Sequence, residues 1–238
     1  MSTIYFVGAG PGDPGLITVR GMDLVTRADV LIYAGSLVNP DLVARSKARI
    51  KLDSWGKTLE EIVPLMVREA RKGALVVRLH SGDPALYGAV VEQMQLLEEA
   101  GIPYKVIPGV SSLFAAAAAL GTQLTLGGVS DTLIVTRPAG KTLDRDEIHE
   151  LSAHTATMVF FLGADRIEEI IAKLQYPLST PAALIFHASW PDQQIIRGTL
   201  ADIAGKASEA GIRRSALLLV GGVLKPSGSG HRRSVLYS

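Results

Sequence analysis

Two α/β domains in succession, the first with a mainly parallel sheet and the second with a mixed one, are the fold class this sequence predicts. Near-continuous apolar runs alternate with helical periodicity along the first half, as strands buried on both faces of a parallel sheet do. The stretch "VIPGVSSLFAAAAALGTQLTLGG" then breaks that alternation. In the second half a close strand pair around "WPDQQIIRG" reads as a hairpin and brings antiparallel pairing with it.

In the first half, strands are expected over residues 3–7, 30–34, 74–80 and 104–107, and helices over 18–27, 58–72 and 87–100. Thr58 with Glu61 three residues on is a capping-box signature, and Gly73 and Gly101 are helix stops. Such alternation implies right-handed crossovers and a doubly wound sheet. In the second half, strands are expected over 132–136, 158–162, 182–187, 195–199 and 216–220, with helices over 165–174 and 200–210. The domains are then 1–112 and 113–238, hinged near 108–130. Residues 226–238, Gly/Ser-rich and basic, read as a mobile tail. A ligand is expected in the cleft between the domains.

Composition removes several function classes. The chain has 24 Lys and Arg against 23 Asp and Glu, a net charge of +1, which argues against nucleic acid as the main partner. Cysteine is absent, so disulfides, thiolate metal sites and cysteine nucleophiles are excluded. The five histidines show no i, i+4 pair of the kind that holds a metal on a helix, and there is no G-x-S-x-G; no metal and no covalent catalysis are expected. The start "MSTIYFVGAG" has no basic leader, and no apolar run reaches the ~20 residues needed to cross a bilayer. A cytoplasmic protein without a membrane partner is the expectation.

"GAGPGDPG", residues 8–15, looks like a nucleotide loop and fails the test for one. Gly8 and Gly10 match G-x-G-x-x-G, but Asp13 stands where the third glycine belongs, and Pro14 and Gly15 delay the helix. The next strand, "VLIYAG", ends without the acid that would hold a ribose hydroxyl. Four glycines and two prolines in eight residues instead make a rigid wall poor in side chains. That suits a bulky ligand approached by backbone, and equally a tight turn with no ligand. "HSGDPALYG", residues 80–88, follows another strand end, where loops line the crevice of an open α/β sheet.

Together, "GAGPGDPGLIT", "GDPALYG", "PGVSS", "FFLG", "PDQQIIRGTL" and "SALLLVGGV" resemble the tetrapyrrole (corrin/porphyrin) methyltransferases of cobalamin and sirohaem synthesis. The likeness runs over nearly the whole chain. It implies two α/β/α domains, a homodimer, a tetrapyrrole substrate, and S-adenosyl-L-methionine as cofactor, leaving as S-adenosyl-L-homocysteine. Carried over by motif, the cofactor residues are Pro11; Ser81, Gly82, Asp83 and Leu86; Ser111 and Ser112; Leu162; Ala188; and Ala216.

Such a cofactor carries a sulfonium, an amino-acid end and a nucleoside but no phosphate, so it needs backbone hydrogen bonds, small side chains and a few polar groups. Asp83 suits its ribose or cationic end, and also suits a helix N-cap. Leu162, Ala188 and Ala216 are equally good core residues. Methyl transfer needs in-line positioning at roughly 3–3.5 Å more than it needs a protein nucleophile. A proton must leave the product, and Asp13 or His80 is a candidate acceptor, each with a purely structural alternative. Arg20, Arg137 and Arg197 are candidate partners for substrate carboxylates. Two readings of other classes stay open: a non-catalytic tetrapyrrole-binding relative, and a nicotinamide oxidoreductase.

Overall fold

A computed structural model describes residues 1–225; the tail expected over 226–238 lies outside them. The chain divides into two compact units, Met1–Ser112 and Leu113–Ser238.

The first unit holds a five-stranded parallel sheet, ordered β3-β2-β4-β1-β5. Its strands are β1 (Ile4–Gly8), β2 (Val30–Tyr33), β3 (Ile50–Asp53), β4 (Val76–His80) and β5 (Tyr104–Ile107). Its helices are α1 (Val19–Arg27), α2 (Pro40–Arg45), α3 (Leu59–Arg71) and α4 (Val91–Glu99). β1 and β4 are almost wholly buried, which is why both read as unbroken apolar runs. One face packs Leu24 and Val25 of α1 and Leu42 of α2 onto Val7, Leu31 and Leu79. The other packs Ile62, Val63 and Met66 of α3 and Leu97 of α4 onto Ile4, Phe6 and Ile32. The chain leaves β1 toward β2, passing over β4, and leaves β4 toward β5, passing over β1. The crossing between β1 and β4 is therefore the topological switch point, where open α/β sheets bind ligands.

The capping box at Thr58 and Glu61 forms, with the Thr58 amide donating to Glu61 Oε2 at 2.8 Å. The fourth helix begins at Val91 rather than at residue 87, because Tyr87 and Ala89 hold left-handed backbone at φ 54° and 47°. β3 escaped the sequence reading: it is an edge strand whose residues alternate between half-buried and exposed, "IKLD", instead of forming an apolar run.

The second unit holds a mixed sheet, ordered β6-β7-β10-β8-β9. Its strands are β6 (Leu133–Thr136), β7 (Thr157–Phe160), β8 (Pro181–Phe186), β9 (Gln194–Thr199) and β10 (Ala216–Val220). Its helices are α5 (Ser112–Leu120), which opens on the last residue of the first unit, α6 (Ile148–Ser152), α7 (Ile167–Lys173) and α8 (Ile203–Glu209). β6 and β7 are parallel, β10 runs antiparallel to β7 and β8, and β8 with β9 is the expected hairpin. The alanine run of α5 packs on Val159, Ile185, Leu217 and Leu219, while α7 and α8 cover the opposite face. Two strands end earlier than expected. After Phe160 and Phe186 the chain turns into left-handed backbone, at Leu162 (φ 54°) and His187 (φ 46°).

One buried carboxylate sets an acid limit on the first unit. Glu69 of α3 is 1% exposed and takes Arg49, Arg68 (3.0 Å) and Lys72 (3.0 Å). Bonds from Arg49, then Lys72 and Arg68, hold its carboxyl down to about 2 from the usual 4.5. Because the folded value is depressed, this stabilisation is complete above pH 4.5 and is lost as pH falls toward 2. Urea midpoints of Glu69→Gln should accordingly vary less with pH over that window than those of the parent protein. Parallel curves would show that the cluster contributes nothing.

Candidate functional site

Three loops leave the carboxyl ends of neighbouring strands in the first unit: residues 9–18 after β1, 81–90 after β4 and 108–111 after β5. Their backbones touch. Gly10 and Gly82 exchange hydrogen bonds, with Gly82 N donating at 2.8 Å and Gly10 N at 3.2 Å. A β-carbon on Gly8 would stand 2.6 Å from both the N and Cα of Gly109 and 2.7 Å from the Gly82 carbonyl oxygen. Only glycine permits this crossing, and the strand ends close into one side-chain-poor floor.

Side chains then pin the loops. Asp83 accepts from the Ala85 amide through Oδ1 and from the Gly109 amide through Oδ2, both at 2.8 Å. It thus ties the β4 loop to the β5 loop while it caps its own turn. Asn39, buried at the start of α2, donates to the Gly12 carbonyl at 2.8 Å and accepts from the Asp41 amide at 2.9 Å. That holds the proline loop, in which Pro11 is buried and Asp13 Oδ1 accepts from the Gly15 amide at 2.7 Å. Ser111 is buried; Ser81, Gly82, Leu86 and Ser112 are half-buried. Of the residues expected to hold a cofactor, those of the first unit are thus gathered at one end of its sheet.

His80, at the end of β4, is 4% exposed, and its Nε2 has no hydrogen-bond partner among the described residues. Burial first, and the Arg78 charge second, push it down to about 3, so at neutral pH it is a neutral and very weak base. Arg78 is itself 6% exposed. It gives Nε to Gln93 Oε1 at 3.1 Å, while its Nη1 finds no hydrogen-bond partner among the described residues. Burial lowers it to about 10, partly offset by Asp53, so it stays charged.

The second unit gathers its own set. Ala216 pairs with Phe186, just before His187 and Ala188, and the β7–β10 register carries Leu162 to the level of Ala216. Leu162, Ala188 and Ala216 therefore share one end of the mixed sheet. Four residues there adopt left-handed backbone: Leu162, His187, Ser189 and Ser215, at φ 54°, 46°, 71° and 55°. Non-glycine residues with such backbone cost about 1–3 kcal/mol each and concentrate at functional positions. Leu162 is 60% exposed.

The sequence reading missed the cluster beside them. His187 Nδ1 lies 3.0 Å from both carboxylate oxygens of Asp192; its ring stacks on Phe186 at 3.8 Å and lies 5.3 Å from Trp190. The signal was present in "HASWPD", a histidine and an acid five residues apart around a proline turn.

The three arginines are dispersed. Arg20 is exposed on α1. Arg137, after β6, donates to Thr142 Oγ1 at 2.7 Å and to its carbonyl at 2.8 Å. Arg197, inside β9, donates to the Leu120 carbonyl at 2.8 Å and so caps α5.

Residues 3–204 match the family model described as "Tetrapyrrole (Corrin/Porphyrin) Methylases". A cobalt-precorrin-4 C(11)-methyltransferase of Methanocaldococcus jannaschii is 48% identical, over 94% of this chain and 88% of its own. A precorrin-4 C(11)-methyltransferase of Pseudomonas aeruginosa is 46% identical, over 95% and 92%. Among solved structures, a cobalt precorrin-4 methyltransferase described as a cobalamin biosynthetic enzyme superposes with a TM-score of 0.91 at 41% identity, over 94% of this chain and 96% of that one. A uroporphyrin-III C-methyl transferase of Thermus thermophilus, complexed with S-adenyl homocysteine, gives 0.80 at 29%, over 94% and 99%.

Proposed function

This chain belongs to the tetrapyrrole (corrin/porphyrin) methylase family, and from that premise we propose that it is the S-adenosyl-L-methionine-dependent methyltransferase that methylates C11 of precorrin-4, giving precorrin-5 in cobalamin synthesis. The observation that carries this reading is identity of 46–48% to relatives named for C11 methylation, sustained over at least 94% of the chain. Those relatives divide between cobalt-containing and metal-free substrates, so cobalt-precorrin-4 is the second reading.

The loops of the first unit fit the cofactor. They offer backbone amides and carbonyls, the hydroxyls of Ser81, Ser111 and Ser112, and no cationic side chain, as suits a ligand without phosphate. Bound, the cofactor supplies a methyl group on a sulfonium. The chain's part is to position it. Asp83 and Asn39 fix the loops by their backbone bonds, and the glycine crossing lets a ligand meet backbone directly. Leu162, Ala188 and Ala216 complete the set on the reading carried over from the motifs. Arg20, Arg137 and Arg197 are its candidate carboxylate partners, although the bonds from Arg137 and Arg197 to their own unit suit a structural role as well. On the same reading residues 1–112 and 113–238 are the two domains of a cytoplasmic homodimer. No helix among the described residues is long and apolar enough to cross a membrane.

The decisive experiment supplies methyl-labelled cofactor with precorrin-4, with and without cobalt, and locates the label by mass spectrometry and NMR. One labelled methyl at C11 is expected, and the preferred substrate identifies the route. Label on uroporphyrinogen III or at another precorrin position would overturn the substrate assignment. S-adenosylhomocysteine at 100 times its Kd should add about 2.7 kcal/mol to stability, whereas NAD should add nothing. Stabilisation by NAD instead would favour the oxidoreductase reading.

A further inference from the structure

We propose that Nε2 of His187 accepts the proton released in methyl transfer, with Asp192 as the residue that positions it; this rests on the methyltransferase reading above. The chemistry requires an acceptor. A ring carbon uses an electron pair to form the new C–C bond, the S–CH₃ bonding pair returns to sulfur, and the cationic ring system gives up an N–H proton to become neutral.

Four observations place the acceptor at His187. The Asp192 carboxylate meets Nδ1 through both oxygens at 3.0 Å, which puts the ring hydrogen on Nδ1 and leaves the Nε2 lone pair available. No hydrogen-bond partner holds Nε2 among the described residues, and the side chain keeps 23% exposure. Phe186 and Trp190 flank the ring, making an aromatic rim suited to a flat conjugated macrocycle. The backbone at His187 is held left-handed at φ 46°, its amide bonded to the Ser215 carbonyl at 3.1 Å; ordinary strand geometry would send the side chain elsewhere. Asp192 is the charged group against the ring, and Arg213 and Arg214 stand in the adjoining turn before β10.

The other candidates serve less well. His80 is buried and pushed down to about 3, too weak a base to hold a proton near neutrality. Asp13 already accepts the Gly15 amide as the cap of a short 3₁₀ turn.

The test compares His187→Asn and Asp192→Asn with the parent enzyme, using the tetrapyrrole that the parent methylates. Asparagine tolerates the left-handed backbone at position 187, and Asp192 is exposed enough to change without unfolding. His187→Asn should lower kcat by about 10²–10⁴-fold, with S-adenosylhomocysteine stabilisation intact and the acidic limb of the kcat–pH profile gone. Asp192→Asn should lower kcat by a smaller factor while leaving KM for the tetrapyrrole unchanged, as loss of a positioning group does. A kcat within threefold of the parent in His187→Asn, or an acidic limb retained in that variant, overturns the assignment. A parent enzyme that methylates no tetrapyrrole overturns the methyltransferase reading itself, a result distinguishable from either.

Discussion

Gly109→Ala is expected to lose about 3 kcal/mol or more of stability and its activity with it. The added carbon would press against the Gly82 carbonyl oxygen, and would stand 2.8 Å from Gly8 Cα and 3.0 Å from the Gly8 carbonyl carbon. All three are backbone atoms of buried or loop-pinned segments, and none can rotate away. Overpacking a core with one methyl costs about 1–3 kcal/mol when side chains can shift; here the strand ends themselves must part. At roughly 2–4 °C per kcal/mol for a chain of this size, the thermal midpoint should fall by about 6–12 °C. Gly205→Ala is the control. That glycine lies in α8 with nothing near the position of a β-carbon, and alanine there should stabilise by about 1 kcal/mol. If the two substitutions gave equal midpoints, the three strand ends would not meet as described.

Gln93→Leu should cost about 3 kcal/mol, although it exchanges one uncharged side chain for another of similar size. Gln93 is 3% exposed; it accepts Arg78 Nε at 3.1 Å and donates to the Ala89 carbonyl at 2.9 Å. Without it the buried guanidinium loses an acceptor while another of its nitrogens has no partner among the described residues, and a buried charged donor is among the costliest groups to orphan. Two further variants separate charge from packing. Gln93→Glu keeps an acceptor for Arg78, now charged, but puts an oxygen where the donor to the Ala89 carbonyl was, so its urea midpoint at neutral pH should fall between those of the parent and Gln93→Leu. Arg78→Met combined with Gln93→Leu removes the charge and should recover much of the loss, a coupling that a double-mutant cycle reads directly. Additive losses would mean that the two side chains do not depend on each other.

The central strands were legible because burial on both faces leaves an unbroken apolar signature. Tyr104–Ile107 and Ala216–Val220 were bounded to the residue. Ile50–Asp53 was not, because an edge strand shares its alternation with exposed loops. The glycine floor was visible as composition, but its reason was not: nothing local reveals that Gly8, Gly82 and Gly109 meet across three strand ends. For the same cause His80 stayed open between a proton acceptor and a purely structural residue. Its depressed basicity comes first from burial and second from Arg78 two residues back on the same strand, and only folding supplies the burial. The His187–Asp192 pair was missed for a different reason: "HASWPD" shows the two residues five apart, but nothing local reveals the left-handed backbone at His187 that accompanies their contact.

The position of β1 has a consequence for how the protein is made. Ile4 pairs with Val76 on one side and Tyr104 on the other, so β1 is synthesised before either of the strands that flank it in the finished sheet. While the nascent chain lengthens, "IYFVG" has no neighbour to pair with and exposes two sticky edges to anything nearby. It can dock on one side only after β4 is synthesised, and its second edge stays bare until β5 follows. A strand well sheltered in the folded protein is thus one that waits unpaired while the chain is made, and a natural client for a chaperone in the interval.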